Sequence, residues 1–263
     1  MSASPELVVD ATAESLATAV AARLIDTLAA AQAERGQAAI ALTGGSILEQ
    51  VFAAVAAAPN RTAVEWNTVD VVWGDERFVP ADSEDRNDAP ARRLLLEPLG
   101  FDSARVFAMP ASDGPGGPGG PGGPAGNDLE RAADRYAALL NDVASVNRID
   151  SNFPTVDVAL IGVGPDGHCC SLFPQHPAVS TTGRTIVAVH NSPKPPPDRL
   201  SFTFEALEDC EQVWVIASGE GKADAVARAL GGADRVDVPS AGARGRQRTL
   251  WLVDEAAAGR LPH

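Results

Sequence analysis

The stretch from Val156 to Pro177, VDVALIGVGPDGHCCSLFPQHP, places the tightest constraint on the fold of this chain. Val156 to Ile161 is a nearly continuous apolar run. Such a run suits a strand covered on both faces, as in parallel sheets layered between helices. Gly162, Gly164, Pro165 and Gly167 then break the pattern with a tight turn. That turn lets backbone approach a ligand closely and carries Asp166 and His168 to the strand's carboxyl end, where open α/β sheets bind ligands. An imidazole two residues from a carboxylate on such a loop reads as a general base with a partner. The bland alternative is a structural histidine beside a turn-capping aspartate.

The rest of the chain alternates strand and helix patterns. Leu7 to Val9 reads as a short edge strand. Ala11 to Glu34 reads as a helix, with Leu16, Val20, Leu24, Ile25 and Leu28 on one face and Gly36 as its stop. Strands are predicted at Ala38–Thr43, Val69–Trp73, Arg105–Met109, Thr185–Val189, Leu200–Phe204, Val213–Ala217 and Thr249–Val253. Helices are predicted from Ile47 to about Ala57, from Asp88 (as cap, with Pro90 in the first turn) to Leu96, from Asn127 to Val146, and from the Ser218–Lys222 turn to Leu230. The fold class that follows is α/β: a doubly wound, mostly parallel sheet flanked by helices, Rossmann-like in its layering. At 263 residues and 45% hydrophobic, the chain suits a single catalytic α/β domain over residues 1–263. A Gly/Pro-rich insertion at about 113–126 has no side chains with which to pack and is expected to be a flexible surface loop.

A net charge of −14 argues against nucleic acid as a partner and requires any phosphate to be held locally by a few cations and backbone N–H groups. Three cysteines, two of them adjacent (Cys169 and Cys170), do not make a disulfide framework and fit a reducing cytoplasm. The N-terminus lacks the pattern of a signal peptide, and no apolar run is expected to reach the length of a membrane helix. The spacing of His168, Cys169, Cys170, His176 and His190 matches no zinc motif, so no metal is expected. Thr43-Gly44-Gly45-Ser46 fits neither the dinucleotide fingerprint nor the P-loop, and stays open between an ordinary turn and an anion site at a helix start. Three consecutive charges, Asp75, Glu76 and Arg77, are unusual at a strand's carboxyl end. The stiff segment HNSPKPPPDR positions Lys194 and Arg199 with little entropy to lose.

Taken together, TGGS, VVWGDERFVP, DVALIGVGPDGHCCSLFP, NSPKPPPDRLSFTF and the GEGK helix start resemble, in order and rough spacing, the 6-phosphogluconolactonases of the pentose phosphate pathway. The resemblance covers about residues 36–255 apart from the Gly/Pro insertion. The sequence is more distantly similar to the glucosamine-6-phosphate isomerase/deaminase group, which shares the fold. The resemblance implies hydrolysis of 6-phospho-D-glucono-1,5-lactone to 6-phospho-D-gluconate without cofactor or metal, with a small sugar-phosphate lactone as the only partner besides copies of the chain (a monomer or small homo-oligomer). It implies His168 as the base that activates water, with Asp166 beside it. Gly44, Gly45, Ser46, Arg77, Arg199 and Lys222 would bind the phosphate and sugar end, and Asp75 would position sugar hydroxyls or Arg77. Two departures stand out: Cys169-Cys170 replaces a pair of small residues, and Ser171-Leu172-Phe173 stands where the deaminases carry a glutamate, which disfavours a deaminase. A sugar-phosphate sensor without chemistry is the non-enzymatic alternative; the Asp166 and His168 pair argues against it.

Overall fold

The computed structural model describes residues 4–114, 128–146 and 153–262. The expected Gly/Pro insertion, beyond its first two residues, lies outside the described residues. The elements, in chain order, are β1 (Glu6–Asp10), α1 (Ala13–Arg35), β2 (Ala38–Leu42), α2 (Ser46–Ala57), β3 (Val69–Trp73), β4 (Asp75–Arg77), α3 (Asp88–Ala91), α4 (Glu97–Leu99), β5 (Val106–Phe107), α5 (Asp128–Val146), β6 (Val158–Gly162), β7 (Ile186–Val189), β8 (Arg199–Phe202), α6 (Phe204–Asp209), β9 (Gln212–Ala217), α7 (Ala223–Leu230), β10 (Arg248–Asp254) and α8 (Glu255–Ala258).

Seven strands form one sheet in the order β1-β10-β9-β6-β2-β3-β5, and every described pairing in it is parallel. From β2 the chain winds outward through β3 to β5, then returns to the other side of β2 as β6 and winds the opposite way. β2 and β6 therefore flank the point where the winding reverses, and a crevice opens beyond their carboxyl ends. Both strands are almost wholly buried, which is why each reads as an unbroken apolar run.

Local sequence explains the boundaries. Thr12 accepts from the Ser15 N–H in a reciprocal capping box at the start of α1, and Gly36, at φ 75°, ends it in the left-handed conformation that glycine adopts without strain. α1 corrects the expectation about membrane-length segments: at 23 residues it is long and apolar enough, by length and composition, to cross a bilayer. Leu16, Val20, Leu24, Ile25 and Leu28 are nevertheless fully enclosed in the core, against α2, β2 and β10. An apolar helix with this much of its surface packed inside the protein is a core helix.

The strands predicted at 185–189 and 200–204 do not join the parallel sheet. They form, as β7 and β8, a separate antiparallel sheet in the order β4-β8-β7. The physical reason is the connection: the proline segment between β7 and β8 is too short for the crossover that parallel neighbours require. Gly74 hands the chain between the sheets, its N–H donating to Leu42 O (2.8 Å) of the first and its carbonyl accepting from Phe202 N–H (2.7 Å) of the second. Asp88 does not cap its helix. Its carboxylate pairs with Arg86 (3.1 Å) and Arg92 (3.4 Å), and the helix runs on through a π turn at Arg92–Leu96 to Leu99. The strand expected at Arg105–Met109 shrinks to two residues.

Candidate active site

A cavity of about 320 Å³ opens beyond the carboxyl ends of β2 and β6. Its wall includes Gly44, Gly45 and Ser46 after β2, Asp75 and Arg77 of β4, His168 after β6, Lys194 and Arg199 of the proline segment, and Lys222 before α7. The structure thus brings together every site residue expected from sequence except Asp166, which lies behind His168 rather than on the wall. Cys170, Asn87 and Lys194 line the cavity as well and were not among the expected binding groups.

The turn after β6 closes on itself: Gly167 N–H donates to Gly164 O and Gly164 N–H to His168 O, both at 2.9 Å. Its glycines have a steric purpose. A Cβ on Gly164 would lie 1.9 Å from His168 Nδ1, and one on Gly167, at φ +89°, would strike Val238. Imidazole and carboxylate can pack over this backbone only because it carries no side chain. His168 Nδ1 lies 2.6 Å from Asp166 Oδ1, so a ring protonated on Nδ1 donates to the carboxylate and leaves Nε2 as the basic nitrogen. Phe173 backs the ring with a tilted contact, centroids 4.6 Å apart.

Lys194 completes the arrangement. Its Nζ lies 3.1 Å from Asp166 Oδ1 and 3.1 Å from His168 Nδ1. Burial alone would raise the pKa of Asp166, but His168 and Lys194 outweigh it and hold the carboxyl well below the usual carboxylate range. The proline segment is clamped from beneath. Arg199, buried at 5% exposure, donates through Nε to Pro196 O (3.1 Å) and through Nη2 to Pro195 O (2.9 Å) and Lys194 O (3.2 Å). Arg199 therefore lines the cavity while most of its guanidinium holds the loop that aims Lys194. Burial pulls its pKa below the ordinary arginine value.

The other cations are less engaged. The Lys222 ammonium has no hydrogen bond or ion pair within contact distance among the described residues, and burial, then the charge of Lys194, lowers its pKa. Arg77 donates through Nη1 to Asp85 O (2.5 Å), while its enclosed Nε has no partner among the described residues. The start of α2 lines the same cavity, and there Gly45, at φ 135°, occupies the cap position without any side chain satisfying the free N–H groups of the first turn.

Asp75, 5% exposed, accepts Ser171 Oγ–H on Oδ2 (2.7 Å) and Asn87 Nδ2–H on Oδ1 (3.1 Å). Ser171 reaches it because Cys170, at φ 48°, turns the chain tightly between Cys169 and Leu172. Burial and the nearby Asp75 push the Cys169 thiol up to about 12, and burial pushes Cys170 well above its ordinary value. Neither is a ready nucleophile. The histidines are dispersed: His176 accepts from Ala178 N–H and bonds His190 O, and His190 pairs with Glu130. Among the described residues, no group of three or more His, Cys, Asp or Glu side chains converges so as to hold a metal ion.

The backbone N–H groups of residues 162–168 are partly engaged within the fold and are not all open to a ligand. Those of Gly164 and Gly167 are bonded within the turn, and Gly162 N–H points to Thr43 Oγ1 at 3.4 Å. Asn87 was passed over because it stands in a polar loop at a helix start, where asparagine ordinarily caps; its side chain makes no cap here. The function of Lys194 had no sequence signal beyond its stiff surroundings, since the partner it meets is 28 positions away.

A switch-point cavity in a doubly wound sheet, with a carboxylate-backed imidazole and underused cations on its wall, defines a class of α/β protein suited to small anionic ligands. The chain belongs to the glucosamine-6-phosphate isomerase/6-phosphogluconolactonase family, whose sequence profile matches residues 11–251. It is 49% identical over 262 residues to a 6-phosphogluconolactonase of Streptomyces coelicolor, covering 100% of this chain and 97% of that one. To a 6-phosphogluconolactonase of Mycobacterium tuberculosis it is 45% identical, covering 100% of both chains. Among solved structures it is similar to the 6-phosphogluconolactonase of Trypanosoma brucei (TM-score 0.81, 26% identity, 98% of this chain and 99% of that one). A monomeric glucosamine-6-phosphate deaminase shares the fold (TM-score 0.73, 18% identity, 97% and 99% covered).

Proposed function

We propose that the protein hydrolyses 6-phospho-D-glucono-1,5-lactone to 6-phospho-D-gluconate, with His168 as general base acting on water. The observation that carries this reading is the 2.6 Å contact of His168 Nδ1 with Asp166, a carboxylate kept off the cavity wall and held ionised. It supplies an oriented imidazole with Nε2 available to the cavity, in a chain whose full-length relatives are named as lactonases.

A lactone is an activated ester, so the chain's own groups suffice for a chemical route. Nε2 takes a proton as water attacks C1, and the tetrahedral oxyanion forms beside the ammonium of Lys194. Collapse breaks the bond from C1 to the ring oxygen, and the imidazolium returns its proton to that oxygen as the ring opens to the hydroxy acid. Asp166 stabilises the transient imidazolium. The phosphate, remote from C1, fits the start of α2 with Ser46, Lys222 and Arg77, and contributes binding energy that holds C1 against the base. Asp75 faces the hydroxylated part of the sugar.

The test is lactone hydrolysis with substrate generated in situ, chelator present and the spontaneous rate subtracted. Wild-type turnover should survive chelator, and His168→Ala should lower kcat by about a hundredfold or more. A wild type no faster than the spontaneous reaction refutes the activity; a fully active His168→Ala refutes the base.

A further inference from the structure

We propose that Asn87 is a specificity-determining residue of this cavity, presenting its Oδ1 as the acceptor for a ring hydroxyl of the substrate, and that the buried Glu76 positions it; the inference rests on the lactonase reading above.

The orientation of the carboxamide follows from its neighbours. Nδ2 faces two acceptors, Asp75 O at 3.0 Å and Asp75 Oδ1 at 3.1 Å. The reverse orientation would set oxygen against oxygen, so the nitrogen points to Asp75 and Oδ1 points to Gly44. The approach to Gly44 is close: a Cβ there would lie 1.9 Å from Oδ1. No described residue donates a hydrogen bond to Oδ1, although Asn87 as a whole is only 3% exposed and lines the cavity. An acceptor with open lone pairs, beside the Asp75 carboxylate, suits a hydroxyl donor and repels a phosphate. The wall therefore has two chemistries, cations and a helix start for the anion, and acceptors for hydroxyls.

Glu76 accounts for the fixed position of Asn87. It is 1% exposed and absent from the cavity wall, so it does not touch substrate. Its Oε1 accepts from Asn87 N–H (2.6 Å) and Arg77 N–H (2.8 Å), and its Oε2 from Asp88 N–H (3.0 Å), with the Arg86 guanidinium 3.5 Å away. Arg86 is itself anchored to Met109 O (2.9 Å) and Asp88 (3.1 Å). One carboxylate thus ties β4 to the start of α3 and fixes the backbone from which Asn87 and Arg77 reach the cavity. Glu76, the middle member of the three charges after β3, serves geometry rather than contact.

The test compares the parent lactone with its monodeoxy analogues, each generated in situ from the corresponding sugar phosphate. Wild type should disfavour one deoxy lactone by about tenfold or more, the scale of a lost hydrogen bond that leaves a buried acceptor unpaired. Asn87→Ala should erase that preference and raise KM for the parent by a similar factor, with a smaller change in kcat. Glu76→Gln keeps an acceptor for Asn87 and Arg77 but turns an NH2 toward Asp88 N–H and Arg86; it should shift the same ratio in the same direction. Gly44→Ala should be harmful alone, yet add no cost in the Asn87→Ala background, where the carboxamide it strikes is gone. Glu76→Gln keeps the inference testable if Asn87→Ala folds poorly, since an unchanged ratio in that variant overturns it. Discrimination that persists in Asn87→Ala, a wild type indifferent to every deoxy lactone, or additive costs for Gly44→Ala overturns the assignment. A wild type that turns over no lactone at all refutes the lactonase reading, and this inference with it.

Discussion

Gly164→Ala isolates the geometry of the His168 and Asp166 pair from its chemistry, because it alters neither side chain. The backbone at Gly164 is not in the left-handed region, so alanine fits the local conformation. The difficulty is the methyl group, which would lie 1.9 Å from His168 Nδ1, 2.1 Å from Cε1 and 2.3 Å from Asp166 Oδ1. To reach ordinary contact the ring must retreat by roughly 1.5 Å. A misplacement of about 1 Å costs on the order of a hundredfold in rate, and complete loss of a general base about a hundred- to ten-thousandfold. Gly164→Ala is therefore expected to lower kcat by about a hundredfold or more, roughly 3 kcal/mol of barrier. KM should change by less than about threefold, since the groups placed at the phosphate end do not move. The assay is in situ lactone hydrolysis corrected for the spontaneous reaction, with a thermal melt to establish folding. A folded variant whose kcat stays within about threefold of wild type would show that the close packing of ring, carboxylate and glycine does not govern the base.

Lys194→Met should lower kcat about tenfold while the inhibition constant of 6-phosphogluconate changes little, as expected for an ammonium that acts on the catalytic pair and on an oxyanion formed only in the transition state; a weakened inhibitor with kcat intact would place the ammonium on the ground-state ligand instead. Stability should respond to pH through Glu76, which burial raises from 4.5 to about 7. The native state then holds a proton that the unfolded chain has released, so stability should fall as pH rises from about 4.5 to 7, by roughly 3 kcal/mol at most, and Glu76→Gln should flatten that slope in denaturant titrations. Asp166 acts with the opposite sign: its depressed pKa adds stability above its ordinary 3.8 that is lost as pH falls below it, and Asp166→Asn should remove that acid limb. All three cysteines are buried as free thiols, so a thiol reagent at pH 8 should titrate them only after denaturation; fast labelling of the native protein would contradict the enclosure of Cys169 and Cys170.

Much of the layering was legible in the chain itself, because strands covered on both faces leave an unambiguous apolar run. Val69–Trp73 matches its predicted limits, and α1 and β2 differ from theirs by a residue or two. The loop holding Asp166 and His168 was legible for a related reason: glycine and proline at fixed offsets dictate local backbone, and the pair is two residues apart. Where the structure departs from the expectation, a competing contact decided, close in the chain for Asp88 and remote for Asn87. Asp88 looked like a cap, but Arg86 and Arg92 compete for its carboxylate. Asn87 looked like a loop residue, but Asp75 and Glu76, twelve and eleven positions away, orient its amide and its backbone.

The sequence by itself determined the parallel α/β class, the strand whose end carries the imidazole, the cluster of candidate cations and the requirement that an acidic chain hold any anion locally. These follow from periodicity, glycine placement and charge, which act over a few residues. Only the tertiary structure decided that β7 and β8 join β4 in a second sheet, that Arg199 clamps a loop while Lys194 meets Asp166, and that a glutamate and an asparagine shape the wall of the cavity. Each of those outcomes depends on which distant group reaches a polar atom first once water is excluded. Burial makes every unpaired donor and acceptor costly, and so turns long-range geometry into the arbiter of each side chain's role.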